Sequence, residues 1–248
     1  MNEWRFIALE EHTAAMNMAL DQACMEAIKQ KLVPPTIRLY RWTPSAVSIG
    51  YFQSLQDEID IEECQKQQVD IVRRKTGGGA VYHDHDGEIT YSVIAPVELF
   101  PTDINESYKL ICGWIIEGLK QVGLECQFRP INDIIFQGKK ISGNAQTRRG
   151  GILLQHGTIL YTVDVDKMFS LLKVTNEKLR DKTIKNVKEY VTSIKQHKNI
   201  THSALAKALE KGLSQDKKIK AGSWTPQELD CAEKYEEEFA SQGWNAWR

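Results

Sequence analysis

Three consecutive glycines, Gly77–Gly79, sit between two runs that read as β-strands, and they constrain this chain more than any other feature. The run before them, 69–75, is VDIVRRK; the run after them passes through Ala80 and Val81 to His83 and Asp84. Glycine weakens any strand or helix it interrupts, because it packs nothing and has the most backbone freedom to lose. A triplet in a chain with 16 glycines among 248 residues therefore points to a reason. Either the chain turns there as no other residue allows, or a ligand lies against bare backbone. Such a loop can aim successive N–H groups at an anion, and Arg73, Arg74 and Lys75 stand on its incoming side. The spacing fits neither GxGxxG nor GxxxxGK[ST], so the dinucleotide and Walker loops are not indicated. A bulged hairpin turn with its cations in solvent is the alternative reading of the segment.

The flanking periodicities place this loop in a sheet. Residues 4–10 alternate, 36–42 follow the break at Pro34 and Pro35, and 87–96 close at Pro96, all as strands, while 43–53 reads as a turn followed by another β-rich run. Further short strands are expected over 126–130, 133–146 with a turn at Gln137–Gly138, and 150–163. Helices are expected over 17–30, where Met18, Ala19, Ala23, Met25 and Ile28 share a face, and over 55–68, whose acidic start suits the helix dipole. The clearest helix is 105–124, with Tyr108, Ile111, Ile115 and Leu119 on one face and Gly123 as its stop. From about residue 164 the chain reads as helical, over 165–174, 201–214 and 225–239, and the lysine-rich stretch 197–222 reads as a solvated helix and turn. Strands come first and helices gather at the end. That is an α+β, mixed-sheet pattern, and it argues against a regular βαβαβ nucleotide fold.

The formal net charge of −1 argues against a general nucleic-acid binder. The start has no secretory pattern and the apolar runs are far shorter than a membrane span, so a cytoplasmic protein without a membrane partner is expected. Five widely spaced cysteines with no CxxC pair point the same way. They read as reduced, small buried hydrophobes rather than a zinc ribbon or disulfide framework.

A second polar cluster spans 131–158. Asn132 and Asp133 open a strand, Lys139 and Lys140 follow the Gln-Gly turn, and strand alternation points the two lysines to opposite faces. Ser142, Gly143, Asn144 and Ala145 are small enough for a ligand to come close, and His156, Gly157 and Thr158 lie in an apolar strand. No Gx[ST]xG elbow and no Ser–His–Asp set is evident, and no cysteine lies in either glycine-rich cluster. The chemistry on offer is cationic and electrophilic: Arg, Lys, backbone N–H and one magnesium ion, suited to negative charge on a phosphate or an acyl oxygen.

Taken together and in order, RRKTGGGAVYHD, GEITYSV, NDIIFQGKKISGNAQ and QHGTILYTVDVDKM resemble the lipoate–protein ligase A family. MNMALDQA, IRLYRWTPSAVSIGYFQ and the terminal WNAWR extend the resemblance over nearly the whole chain. It implies a biotin/lipoate synthetase-like mixed β-sheet flanked by helices, with residues 1–248 as a single catalytic domain. It also implies ATP-dependent activation of lipoate or octanoate to the acyl-AMP, and transfer to a lysine of a lipoyl-accepting domain. Such a domain belongs to a 2-oxoacid dehydrogenase E2 or a glycine cleavage H protein. By the same resemblance Lys140 is the catalytic cation, Arg74 holds the activated carboxyl–phosphate region, and Thr76, Gly77, Gly78 and Gly79 form the loop wall along the acyl chain. His83 shapes the pocket; Asn132 and Asp133 support the adenylate, with Asp133 as the Mg2+ ligand. Ser142, Gly143, Ala145, His156, Gly157 and Thr158 lie beside the ligand. The accessory C-terminal domain carried by many family members is expected to be absent, since the chain stops at QGWNAWR. A separate small accessory subunit would then assist adenylation.

One rival stays open at this point. A related transferase moves octanoyl or lipoyl groups between acyl-carrying proteins through a cysteine thioester, and GNAQTRRGGILLQHG has something of its character. The only cysteine ahead of the GKK motif in that interval is Cys126, expected in a strand rather than a loop.

Overall fold

The structure, a computed structural model, describes residues 3–174 and 180–248. The alternating runs form strands β1 (Glu3–His12), β2 (Thr36–Trp42), β3 (Ala46–Ile49), β4 (Asp70–Arg73), β5 (Val81–His83), β6 (Glu88–Pro96), β7 (Gln127–Arg129), β8 (Asp133–Phe136), β9 (Lys139–Arg149), β10 (Ile152–Leu160) and β11 (Lys218–Ala221). The helices are α1 (Ala14–Lys29), α2 (Leu55–Glu58), α3 (Ile61–Lys66), α4 (Ile104–Lys120), α5 (Val165–Leu171), α6 (Arg180–Tyr190), α7 (His202–Leu213), α8 (Pro226–Ala240) and α9 (Gln242–Asn245).

Eight strands make one mixed sheet in the order β11-β1-β2-β6-β10-β9-β8-β7, and β4-β3-β5 make a small second sheet. The β11-β1-β2 side is parallel; the β2-β6-β10-β9-β8-β7 side is antiparallel. Both faces of the middle strands are covered, and β6 and β10 are buried along almost their whole length, polar residues included. Period-2 geometry sends neighbours into different cores. Val93 and Leu153 pack with Ile111, Ile115 and Leu209 of α4 and α7, whereas Ile94 and Leu154 pack with Cys24, Met25 and Ile28 of α1. Local chemistry sets the element ends. Thr13 caps α1 by accepting from Met16 N–H, and Thr225 with Glu228 makes a capping box on α8. Gln137 and Gly138 both adopt positive φ, 49° and 80°, as a two-residue hairpin turn between β8 and β9 requires.

The expected mixed sheet flanked by helices is what forms, but three local expectations need correction. The single helix expected over 55–68 is two, because Ile59 turns extended and enters a core with no exposed surface, while Asp60 starts α3 by accepting from Glu63 N–H. The turn expected within 197–222 contains β11, which pairs parallel with β1 and sets Ile219 against the main core. Helix α6 lies in the stretch that reads as helical from about residue 164 but was not singled out as a helix of its own; none of its residues is buried. Cys126 lies one residue ahead of β7, buried in the main core.

Candidate active site

The two polar clusters meet. β3, β4 and β5 carry the glycine loop on one side, β9 and β10 stand on the other, and a cavity of about 410 Å3 lies between them. That volume falls in the roughly 300–1,000 Å3 range of small-ligand pockets. Its walls are largely apolar, with Met18, Trp42, Val81, Leu160, Val163 and Met168 among them. Polar groups converge at two places.

The buried place is the glycine loop. Gly50 and Gly78 touch backbone to backbone, since a Cβ on Gly50 would stand 2.0 Å from the Gly78 carbonyl oxygen. Gly78 also adopts φ +98°, a region costly for any residue with a Cβ. Gly77 and Gly79 face open space, with nothing within 4 Å of an added Cβ. Arg74 holds this loop. Its Nη1 donates to Ser48 O and Ser48 Oγ, both at 3.1 Å, and its Nη2 donates to Gly77 O at 2.9 Å and Gly79 O at 2.7 Å. Burial pushes the guanidinium down to about 10, which leaves it charged near neutral pH.

The three cations before the glycines separate completely, and none projects freely into solvent. Arg73 has no exposed surface and donates to the carbonyls of Gly50, Tyr51, Gln53, Trp244 and Asn245. Arg74 turns to the cavity. Lys75 lies over the rings of Tyr235, Phe239 and Trp244 at 4.9–5.4 Å.

A Ser–His–Glu set that the sequence did not reveal sits beneath the loop. Ser48 Oγ is 2.8 Å from His83 Nε2, and His83 Nδ1 is 2.7 Å from Glu88 Oε1. Trp42 Nε1 donates to Thr90 Oγ1, and the Thr90 hydroxyl donates to Glu88 Oε1. Glu88 Oε1 also accepts from His83 Nδ1, and Ser48 Oγ accepts from Arg74 while it meets His83 Nε2. His83 is further held by stacking on Trp42, 4.0 Å between ring centroids. The set is a buried brace for Arg74. The signal for it was the strand register, which puts Ala46 opposite His83 and Ser48 opposite Val81, but that pairing is not written in local sequence. His156 Nε2 joins Thr76 Oγ1 at 2.7 Å on the same side, and burial pushes its imidazole down, towards the neutral form.

The second place is the cavity mouth. Lys140 Nζ contacts Asp133 Oδ1 at 2.7 Å, with the lysine side chain 30% exposed. Lys139 is exposed on the other face, as alternation requires. Gly143 leaves the space the ammonium occupies: a Cβ there would sit 2.8 Å from both Lys140 Cε and Nζ. Asn132 and Asn144 lock β8 to β9, Asn132 Nδ2 donating to Asn144 O and Asn144 Nδ2 to Asn132 O. Gly157 makes room for the Asn144 side chain, whose Oδ1 would lie 2.1 Å from a Cβ at that position.

Of the expected site residues, Arg74, Gly78, Gly79, His83, Asn132, Lys140, Gly143, Ala145, His156, Gly157 and Thr158 line the cavity. Thr76, Gly77 and Asp133 stand just behind it, bonded to residues that do. Ser142 does not line it; its hydroxyl is buried without a hydrogen-bond partner among the described residues. Asp133 is a poor match to a resident magnesium ion, because one oxygen is taken by Lys140 and the other accepts from the Tyr190 phenol. Among the described residues no group of three or more His, Cys, Asp or Glu side chains could hold a metal.

No cysteine lines the cavity among the described residues. Burial pushes the thiols of Cys24, Cys112 and Cys126 up to about 12 and that of Cys64 to about 11; Cys231 is also raised. Cys24, Cys64, Cys112 and Cys126 are buried, as expected of small hydrophobes, whereas Cys231 is only partly buried. No helix among the described residues is long and apolar enough to cross a membrane.

Residues 13–214 match the family model of the lipoyl protein ligase A/B catalytic domain. Octanoyltransferase LipM of Halalkalibacterium halodurans is 34% identical over 275 residues, covering 99% of both chains. Octanoyltransferase LipM of Bacillus subtilis is 34% identical over 272 residues, covering 98% of this chain and 97% of its own. Among solved structures, the bipartite lipoate protein ligase of Thermoplasma acidophilum, described with its E2 lipoyl domain, superposes with a TM-score of 0.88 at 29% identity, covering 99% of this chain and 97% of that one.

These relatives overturn the expectation of ATP-dependent ligation: full-length sequence relatives are octanoyltransferases. The physical reason for the error is plain. An ammonium that stabilises an acyl oxyanion does not record whether the leaving group is AMP or a thiol.

Proposed function

The chain belongs to the lipoyl protein ligase A/B catalytic-domain family, and we propose that within it the chain is a cytoplasmic octanoyltransferase, with residues 1–248 acting as one catalytic unit. It takes a medium-chain acyl group, octanoyl or lipoyl, from the thioester of an acyl-carrying protein and delivers it to a lysine of a lipoyl-accepting domain. The observation that carries this reading is the apolar cavity that ends at Lys140, in a chain aligned end to end with octanoyltransferases. Segments far apart in sequence are joined, Arg5 pairing with Glu228 and Arg73 bonding Asn245, which supports a single unit.

The acyl chain lies along the apolar walls and the glycine loop, and its carbonyl reaches the mouth. The acceptor amine attacks the carbonyl carbon; a C–N bond forms, the C–S bond breaks, and the amine's proton returns to the departing thiolate. Lys140 stabilises the oxyanion between those events. A thioester is already activated, so neither ATP nor a metal takes part, and an accessory subunit for adenylation has no role. With every described cysteine away from the cavity, transfer is direct rather than through an enzyme thioester. The test uses the purified chain, an octanoylated carrier protein and an apo lipoyl domain, without ATP, read by intact mass. Octanoylated acceptor is the expected product. No transfer from the thioester, with transfer from octanoate and ATP instead, overturns the reading.

A further inference from the structure

Helix α6 has no buried residue. What lies beneath it is the cavity: Val187, Tyr190 and, just past its end, Val191 line the space. The same segment is tied to Lys140 at two points. Thr192 N–H donates to the Lys140 carbonyl at 2.8 Å, and the Tyr190 phenol donates to Asp133 Oδ2 at 2.6 Å while Asp133 Oδ1 faces Lys140 Nζ. Arg129 stands over the Tyr190 ring at 5.6 Å. The bond to Asp133, ahead of burial, pushes the phenol up, so Tyr190 stays a donor across ordinary pH.

We propose that Tyr190 is a positioning residue, acting through Asp133, that makes the orientation of Lys140 depend on how fully the acyl chain fills the cavity. A carboxylate with both oxygens engaged cannot rotate without breaking a bond. While Tyr190 holds Oδ2, Oδ1 faces the lysine. Among the described residues α6 buries no side chain; Arg180 and Lys188 tie it to Phe169 and Asp166 of α5, and Tyr190 and Thr192 tie its far end to Asp133 and Lys140, so the seating of its inner face rests on what packs under Val187 and Val191. An octanoyl chain with its carbonyl at Lys140 is long enough to pack under both valines; a butyryl chain reaches Val191, which is bridged to Lys140, and leaves Val187, one turn farther off, over open space. α6 then lifts, Tyr190 leaves Asp133, and Lys140 turns with the carboxylate. Chain length is thereby read in kcat and not only in KM, because the penalty falls on oxyanion stabilisation rather than on binding.

The inference rests on the proposed acyl transfer, and Tyr190→Phe tests it, since the ring stays in the cavity wall and only the hydroxyl is lost. For octanoyl donor we expect kcat to fall about tenfold, the scale of one lost hydrogen bond to a charged group, with KM nearly unchanged. For butyryl donor kcat should hardly move, so the octanoyl-to-butyryl ratio collapses. A second readout needs no turnover: labelling of Lys140 by trinitrobenzenesulfonate, followed by peptide mass spectrometry. Saturating octanol should alter its rate more than butanol in the wild type, and that difference should vanish in Tyr190→Phe. An equal fall for both donors, or unchanged kcat and labelling, overturns the proposal. A wild type that does not transfer from thioesters defeats the transferase reading alone, because the labelling comparison still decides Tyr190.

Discussion

Arg74 and Lys140 are cations on the wall of one cavity, each next to glycines, and they are held in opposite ways. Arg74 is 6% exposed and both its terminal nitrogens are committed to protein oxygens of Ser48, Gly77 and Gly79. Lys140 is partly exposed and among the described residues has a single carboxylate partner, so donors remain for an incoming oxygen. A cation whose terminal nitrogens are committed to the protein builds a wall, whereas one with donors to spare does chemistry. The glycines follow the same division. Gly78 is required by backbone contact and positive φ, whereas Gly77 and Gly79 leave room for a ligand.

The largest expected effect tests the chemical side. Lys140→Ala should lower kcat/KM by at least ~100-fold, the scale for loss of one oxyanion stabiliser, with an unchanged melting temperature; Lys139→Ala should match the wild type. Transfer assays beside thermal melts on both variants check it. A destabilised Lys140→Ala would erase the contrast with Arg74.

On the structural side, Arg74→Met should destabilise the fold by about 2–3 kcal/mol, because the Gly77 and Gly79 carbonyls lose their partners in a buried setting. Urea unfolding measures this, and a fully stable variant with lost activity would mean that Arg74 belongs with Lys140.

The buried side also carries the pH dependence. Burial holds the His156 imidazole below its ordinary 6.5. Above that value both states are neutral; as pH falls, the unfolded chain binds the proton first, so stability is lost through the window below 6.5. Calorimetry between about pH 7 and about pH 5 should show the melting temperature falling on acidification, with a shallower slope in His156→Gln.

The smallest effect is expected at Cys126→Ala. Buried in the core and away from the cavity, this thiol should be dispensable, with activity within about twofold and a stability cost near 1 kcal/mol. A large activity loss without unfolding would restore an enzyme thioester.

Much of the frame was legible. The α4 face of Tyr108, Ile111, Ile115 and Leu119 is buried as its spacing indicated, and the Gln137–Gly138 turn forms where its residue types place it. Lys140 and the glycine loop do share a cavity. Tyr190 was not legible, because it sits on a polar helix with no buried face, nor were Ser48 and Glu88, which look ordinary in their strands. The split of Arg73, Arg74 and Lys75 among a scaffold, a loop and an aromatic cluster was equally hidden.

By itself the sequence determined what depends on near neighbours: alternation, helical periodicity, caps, turns, and the concentration of small and cationic residues in two segments. Those signals act over a few residues, so they survive without knowledge of the rest of the chain. Only the tertiary structure decided which strand lies beside which, and so which polar groups lose water and which keep it. Ser48 meets His83 through the β3–β5 register, and Asp133 meets Tyr190 across 57 positions of sequence. A side chain's role follows from its partners and its burial, and both are set by contacts that no local pattern spells out.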